Sequence, residues 1–303
     1  MDKKSFRLVF MGTSDFAVPS LKALVNSDYR IAGVITAPDK EAGRGQKLRF
    51  SPVKEFALLH NLELLQPENL KDPGFQSDLK SLQPDLQVVV AFRMLPQAVW
   101  ALPAKGTINL HASLLPQYRG AAPINHAIIN GENQTGLTTF FINENIDTGG
   151  IIRQTPVDIG EEENFGELYQ RLREMSPAIL MDTVDDIFRG AVKVTDQQEL
   201  IESTGPLKPA PKIFRESCRI DFDRPLTEVY NFIRGLSPYP AAFATLQDAE
   251  RESMAKIFRT RKEKENHSFS AGKILSDGKS YMKIAVPGGW LHILELQLAG
   301  KNS

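Results

Sequence analysis

The feature that most constrains the fold is a regular alternation in the first half of the chain. Short apolar runs at Arg7-Leu-Val-Phe-Met-Gly12, Ile31-Ala-Gly-Val-Ile-Thr36, Asp85-Leu-Gln-Val-Val-Val-Ala91 and Gly106-Thr-Ile-Asn-Leu-His111 are separated by stretches with helical patterning. Phe16 to Val25 is amphipathic, and Ser51-Pro52 supplies an N-cap followed by proline at the first helical position, opening a helix to His60. Strand and helix in turn predict an α/β architecture, a Rossmann-like, mostly parallel sheet with helices on both faces. Two further strands are expected at Thr135 to Ile142 and Gly150 to Pro156. A long helix follows from Phe165 to Arg189, which Pro177 is expected to kink or break.

The pattern changes beyond Arg189. Gly205-Pro206, Pro209 and Pro211 mark Gly190 to Pro211 as a linker or extended crossing. One helix, Pro225 to Leu236, precedes short strands at Ala242 to Leu246, Met254 to Thr260, Phe269 to Leu275, Tyr281 to Val286 and Trp290 to Gln297. Strands this short and this closely spaced predict a small β-barrel. The expected division is 1–189, 190–207 and 208–303. The mixed-charge run Arg259 to Glu265 reads as a solvated hairpin end.

A chain of 303 residues suits two domains and can bury a core without disulfides or metals. Its single cysteine, Cys218, excludes an internal disulfide and a cysteine-based zinc site, and reads as a free thiol in a reducing compartment. The apolar stretch Leu8 to Met11 is too short for a secretory signal. No run reaches the ~18 apolar residues of a membrane span, so a cytoplasmic protein with no membrane partner is expected. The net charge of -1 gives no hint of a polyanion. Its distribution does: Lys208 to Ser303 holds 16 Lys+Arg against 11 Asp+Glu, and the remainder 20 against 26. Charge alone fits a phosphate-binding surface and ordinary scatter equally well.

The polar residues at strand ends carry the chemistry. Gly12-Thr-Ser-Asp15 follows the first strand, where α/β sheets bind ligands, but the glycine spacing of a dinucleotide fingerprint is absent. Asn109 and His111 lie two apart at the end of a strand, so both face one side. Downstream, Asn145-Ile-Asp147-Thr-Gly-Gly150 places a carboxylate in a turn between two strands. An amide can donate to a developing oxyanion, an imidazole can shuttle a proton near neutral pH, and a carboxylate can orient the imidazole or a water. Each also has a plainer role: a satisfied structural histidine, or an ordinary turn. His60, His126, His267 and His292 show no metal-ligand spacing, so no metal is expected.

The segment Ser113-Leu-Leu-Pro-x-x-Arg-Gly-x-Ala-Pro, continuing through Ala127-Ile128, Gly131, Thr135-Gly-Leu-Thr138 and Asp147-Thr-Gly149, resembles the signature of the folate-dependent formyltransferases. The likeness extends from Phe10-Met-Gly-Thr-Ser-Asp-Phe16 to Leu-Gln-Leu-Ala-Gly300. It implies that Asn109, His111 and Asp147 form the catalytic set. It also implies that Ser113, Leu114, Leu115 and Pro116 line the folate site together with the turn Phe92, Arg93 and Met94. The co-substrate implied is 10-formyltetrahydrofolate. The loop Pro38 to Leu48 resembles the insertion by which one branch of the family contacts a tRNA acceptor stem, with Arg44 and Lys47 as the contacting cations. Glycines beside Arg44 give such a loop freedom to carry a cation to a phosphate or base edge. The C-terminal region resembles the family's OB-like tRNA-binding barrel. The implied acceptor is methionyl initiator tRNA, formylated for translation initiation by a monomeric enzyme. A nucleotide sugar or purine precursor is the alternative acceptor.

Three departures accompany the likeness. The family usually shows a Tyr-Gly pair and a longer turn where this chain has Phe92-Arg-Met-Leu-Pro96, and Met11 stands where a small residue is usual. Relatives often continue for a short segment beyond the counterpart of Gly300.

Overall fold

A computed structural model describes residues 2–42, 47–247 and 252–299. The chain forms two compact units that interleave in sequence. The first comprises Met1–Arg119, Gly136–Pro156 and Arg171–Leu207; the second comprises Gly120–Thr135, Val157–Gln170 and Lys208–Ser303.

The first unit opens with β1 (Arg7–Gly12), α1 (Val18–Val25) and β2 (Arg30–Ile35). A small antiparallel hairpin follows, β3 (Lys40–Ala42) and β4 (Lys47–Arg49). Then come α2 (Pro52–Leu59), β5 (Leu64–Leu65), α3 (Pro73–Ser81), β6 (Leu86–Val90), α4 (Gln97–Trp100) and β7 (Thr107–His111). Past α5 (Pro123–Ile129), the chain adds β8 (Gln134–Phe141) and β9 (Ile151–Asp158), then α6 (Phe165–Arg189) and α7 (Gln197–Thr204).

The seven-stranded sheet has the order β5-β2-β1-β6-β7-β8-β9. The pairings from β5 to β7 are parallel and β7–β8 is antiparallel, so this is the Rossmann-like sheet expected. The chain builds outward from β1 to β5, then crosses to β6 and β7. This reversal opens a crevice at the carboxyl ends of β1, β6 and β7, the usual ligand position in such sheets. β6 is buried at all five positions, as a central strand covered on both faces must be. Val9, Met11, Val89, Leu79 and Val99 form one shared apolar cluster.

Ser51 caps α2 by accepting a hydrogen bond from the Lys54 amide, as its sequence predicts. Pro177 does not break α6. Proline at 177 removes the donor for the Arg173 carbonyl, and Ser176 Oγ supplies a replacement at 2.9 Å. The expected linker also differs in local structure: it contains α7, whose first turn is capped by Asp196.

In the second unit, α8 (Leu226–Leu236) precedes β10 (Ala242–Gln247), β11 (Glu252–Glu263), β12 (Ile274–Ser276), β13 (Met282–Val286) and β14 (Gly289–Leu298). These strands make an antiparallel sheet in the order β10-β11-β14-β13-β12, consistent with an OB-like domain. Val229, Ile233 and Leu236 recur at helical spacing and pack on Ala244, Ile257 and Leu291 of the sheet. Each large aliphatic side chain fully buried here contributes about 1.5–3 kcal/mol. Cys218 joins this cluster, its Sγ donating to the Phe214 carbonyl, and burial pushes its thiol pKa up.

The run Arg259 to Glu265 is not a hairpin end. Through Glu263 it belongs to β11 and pairs with β14. Its charges are matched across strands instead, Glu263 with His292 and Lys283. Alternation along the strand buries Thr260 while leaving Arg259 and Arg261 exposed.

Candidate active site

Asn109 and His111 sit on one face of β7 near its carboxyl end, where Asn109 pairs with Val89 of β6 and His111 with Thr138 of β8. His111 is 7% exposed. Its Nε2 lies 2.8 Å from the Tyr118 carbonyl oxygen, and a carbonyl only accepts, so Nε2 carries the hydrogen. Its Nδ1 lies 3.8 Å from Asp147 Oδ2, an ion-pair distance rather than a hydrogen bond. Asn109 is half-buried. Sequence spacing suggested one constellation, and the fold brings His111 and Asp147 together from β7 and the β8–β9 turn.

That turn is conformationally demanding. Asp147 has φ 54°, in the left-handed region that non-glycine residues avoid. Gly149 is required on steric grounds, since a Cβ there would stand 1.6 Å from the Phe141 carbonyl oxygen. Asn143 Oδ1 accepts from Thr148 Oγ1 at 2.9 Å and from the Asn145 amide at 3.0 Å, closing the turn on itself.

The loop from Ser113 to Pro116 follows β7 directly. Ser113, Leu115 and Pro116 are buried and Leu114 is half-buried. Ser113 Oγ donates to the Gln117 carbonyl, so its hydroxyl proton is committed within the loop. Thr138 Oγ1 donates to the Ser113 carbonyl at 2.6 Å, and Gln154 Nε2 donates to the Leu115 carbonyl at 2.8 Å. β8 and β9 thereby fix the loop's backbone.

The turn after β6 stands at the same sheet edge. Ala91 has φ 50° and Met94 is 69% exposed. Phe92 is partly buried against the Val9–Val89 cluster. Arg93 turns back to donate to the carbonyls of Pro67 and Glu68, bracing the turn.

Arg44 lies outside the described residues. Lys47 is described only by its backbone in β4. Asp39 accepts from Lys54 Nζ at 2.5 Å and from Gln66 Nε2 at 3.0 Å, contacts that hold its carboxyl below the usual carboxylate range.

Two side chains at the site were not anticipated from sequence. Arg119 donates through Nε and Nη2 to Gln197 Oε1, at 3.1 and 2.6 Å. Burial lowers the Arg119 pKa, and the Asp147 carboxylate opposes that shift. Arg119 stood within the recognisable segment, but Gln197 had no sequence signal at all. Among the described residues, no group of three or more His, Cys, Asp or Glu could hold a metal ion, and no helix is long and apolar enough to cross a membrane.

The formyl transferase family model matches residues 6–184, and the model for the formyl transferase C-terminal domain matches 212–303. A methionyl-tRNA formyltransferase of Bacteroides fragilis is 52% identical over 303 residues, covering 100% of this chain and 93% of that protein. One of Flavobacterium psychrophilum is 52% identical over 300 residues, covering 99% and 93%. Among solved structures, an N-formyltransferase from Helicobacter canadensis, complexed with folinic acid and dTDP-3-aminofucose, has a TM-score of 0.70 at 19% identity, covering 96% of this chain and 100% of its own. A sugar 3N-formyl transferase solved with dTDP and 5-N-formyl-THF has a TM-score of 0.67 at 22% identity, covering 98% and 99%. The chain belongs to the formyl transferase family.

Proposed function

We propose that this protein transfers the formyl group of 10-formyltetrahydrofolate to the α-amino group of methionine on initiator tRNA. The observation that carries the choice of acceptor is identity of 52% across the whole chain with proteins named for that reaction. The sugar formyltransferases, at 19–22% identity, support the fold alone.

The folate supplies a formyl group carried on N10. Ser113 to Pro116 and Phe92 to Met94 hold its ring, the fixed backbone giving the amide edges their partners. Asn109 donates to the formyl oxygen as it gains negative charge; one such donor is worth about 10²–10³ in rate. His111, protonated at both ring nitrogens, gives its Nδ1 proton to the departing nitrogen as the C–N10 bond breaks, keeps the Nε2–H bonded to Tyr118, and regains a proton at Nδ1 from the Asp147 side. Asp147 takes the incoming amine's proton through water, and a positioned acid–base group contributes about 10²–10⁴-fold. Arg44 and Lys47 contact the acceptor stem, and residues 208–303 hold the tRNA body. Phosphate neutralisation there makes binding weaken with salt. The same reading gives a monomer working in the cytoplasm.

The test is competition between acceptors. With 10-formyltetrahydrofolate as donor, methionyl initiator tRNA is formylated and a dTDP-linked amino sugar is not. Preference for the sugar would transfer the assignment to the other branch of the family.

A further inference from the structure

α7 contributes one side chain to the site that the reaction outlined above leaves without a role. Gln197, its first residue, is 1% exposed. Its amide is fully committed. Nε2 donates to the carbonyls of Asp147 at 2.9 Å and Gly149 at 2.8 Å, while Oε1 accepts both hydrogen bonds from Arg119. Chemistry fixes this orientation, because the carbonyls only accept and the guanidinium only donates.

The surroundings make Gln197 a rigid post. Asp196 caps the turn it starts. One residue earlier, Thr195 exchanges backbone hydrogen bonds with Ile151 in both directions, at 2.8 and 2.9 Å. Thr195 is thus stapled to the start of β9, immediately after the Asp147–Gly150 turn. The turn it supports holds Asp147 in the left-handed region, at φ 54°.

We propose that Gln197 is a positioning residue: by tying the Asp147–Gly149 turn to Arg119, it keeps the Asp147 carboxylate opposite His111 Nδ1. It touches neither substrate nor reacting atom and acts through Asp147. The proposal rests on the catalytic roles given above to Asp147 and His111.

The test uses full-length Q197M and Q197E. Methionine keeps the length and buried volume but offers neither the amide donors nor its oxygen. Glutamate keeps oxygens for Arg119 but presents no N–H to the two carbonyls, and it covers the case in which Q197M does not fold. Misplacement of a catalytic group by about 1 Å can cost ~10²-fold, so kcat should fall about 10- to 100-fold in each variant. Loss confined to positioning leaves KM for both substrates within about two-fold. A second readout needs no substrate. In long-range ¹H–¹⁵N spectra, with His111 assigned by the signals missing from H111N, the His111 ring nitrogens should shift in both variants while those of His60, His126, His267 and His292 stay in place. Unchanged kcat, or a fall in kcat with unmoved His111 signals, overturns the proposal. If wild type does not formylate methionyl-tRNA but the His111 signals shift, the acceptor assignment fails and the positioning role stands.

Discussion

Nε2 of His111 donates to the carbonyl of Tyr118 at 2.8 Å, which leaves Nδ1 as the ring nitrogen turned toward Asp147 at 3.8 Å. A backbone acceptor thus sets the tautomer of the neutral ring and leaves its Nδ1 edge facing Asp147. A neutral imidazole held this way presents a lone pair at Nδ1, and a protonated one presents an N–H. Asp147 stands at ion-pair distance from Nδ1 without closing a direct hydrogen bond to the ring.

On the proposed mechanism, replacing His111 by alanine removes the proton donor without touching the proposed tRNA contacts. The single-turnover formylation rate should fall by about 10²–10⁴-fold. Affinity for methionyl-tRNA, measured by filter binding, should stay close to wild type. A near-normal single-turnover rate would exclude His111 from the chemistry.

Gly149→Ala tests the turn that carries Asp147. The new methyl meets the Phe141 carbonyl at 1.6 Å, and backbone in a sheet yields little. Overpacking of this kind typically costs about 1–3 kcal/mol, so the melting temperature should drop. Activity should be lost at temperatures where circular dichroism still reports folded protein. Full activity with an unchanged melting temperature would mean that the turn is not built this way.

Arg44→Ala tests the proposed tRNA contact of the segment Pro38 to Leu48. The expected result is a raised KM for methionyl-tRNA with little change in KM for the folate. Equal effects on both substrates would remove Arg44 from tRNA recognition.

Asp277 gives a pH signature in the second unit. Its carboxylate accepts from Ser280 Oγ and from the backbone amides of Lys279, Ser280 and Tyr281, and these bonds, led by Ser280, hold its pKa far below the usual carboxylate value. A depressed folded-state pKa stabilises above the unfolded value of about 3.9 and loses that contribution as pH falls. Asp277→Ala should therefore be less stable than wild type at neutral pH, and the gap in urea midpoints should narrow as pH falls below about 4. A gap independent of pH would show that the ionised carboxylate is not the stabilising group.

Much of this was legible in the sequence because local rules sufficed. β1, β6 and β7 are short apolar runs that need burial on both faces, and the polar pair Asn109–His111 stood out at the end of one. Ser51-Pro52 announced α2 through its cap. What sequence did not reveal depends on partners distant in the chain. Gln197 reaches Asp147 across 50 residues, and nothing in its neighbours marks it as more than the start of a weak helix. Ser176 rescues the carbonyl that Pro177 would orphan, so a residue read as a breaker sits inside an unbroken helix. The charges of β11 looked solvated because their partners, His292 and Lys283, lie on strands that follow much later.

The most direct measurement is transfer from [¹⁴C]formyl-labelled 10-formyltetrahydrofolate, with methionyl initiator tRNA and free methionine as parallel acceptors. Label is expected on the tRNA-borne methionine and none on the free amino acid. Release of labelled formate without transfer, or equal labelling of free methionine, would contradict it.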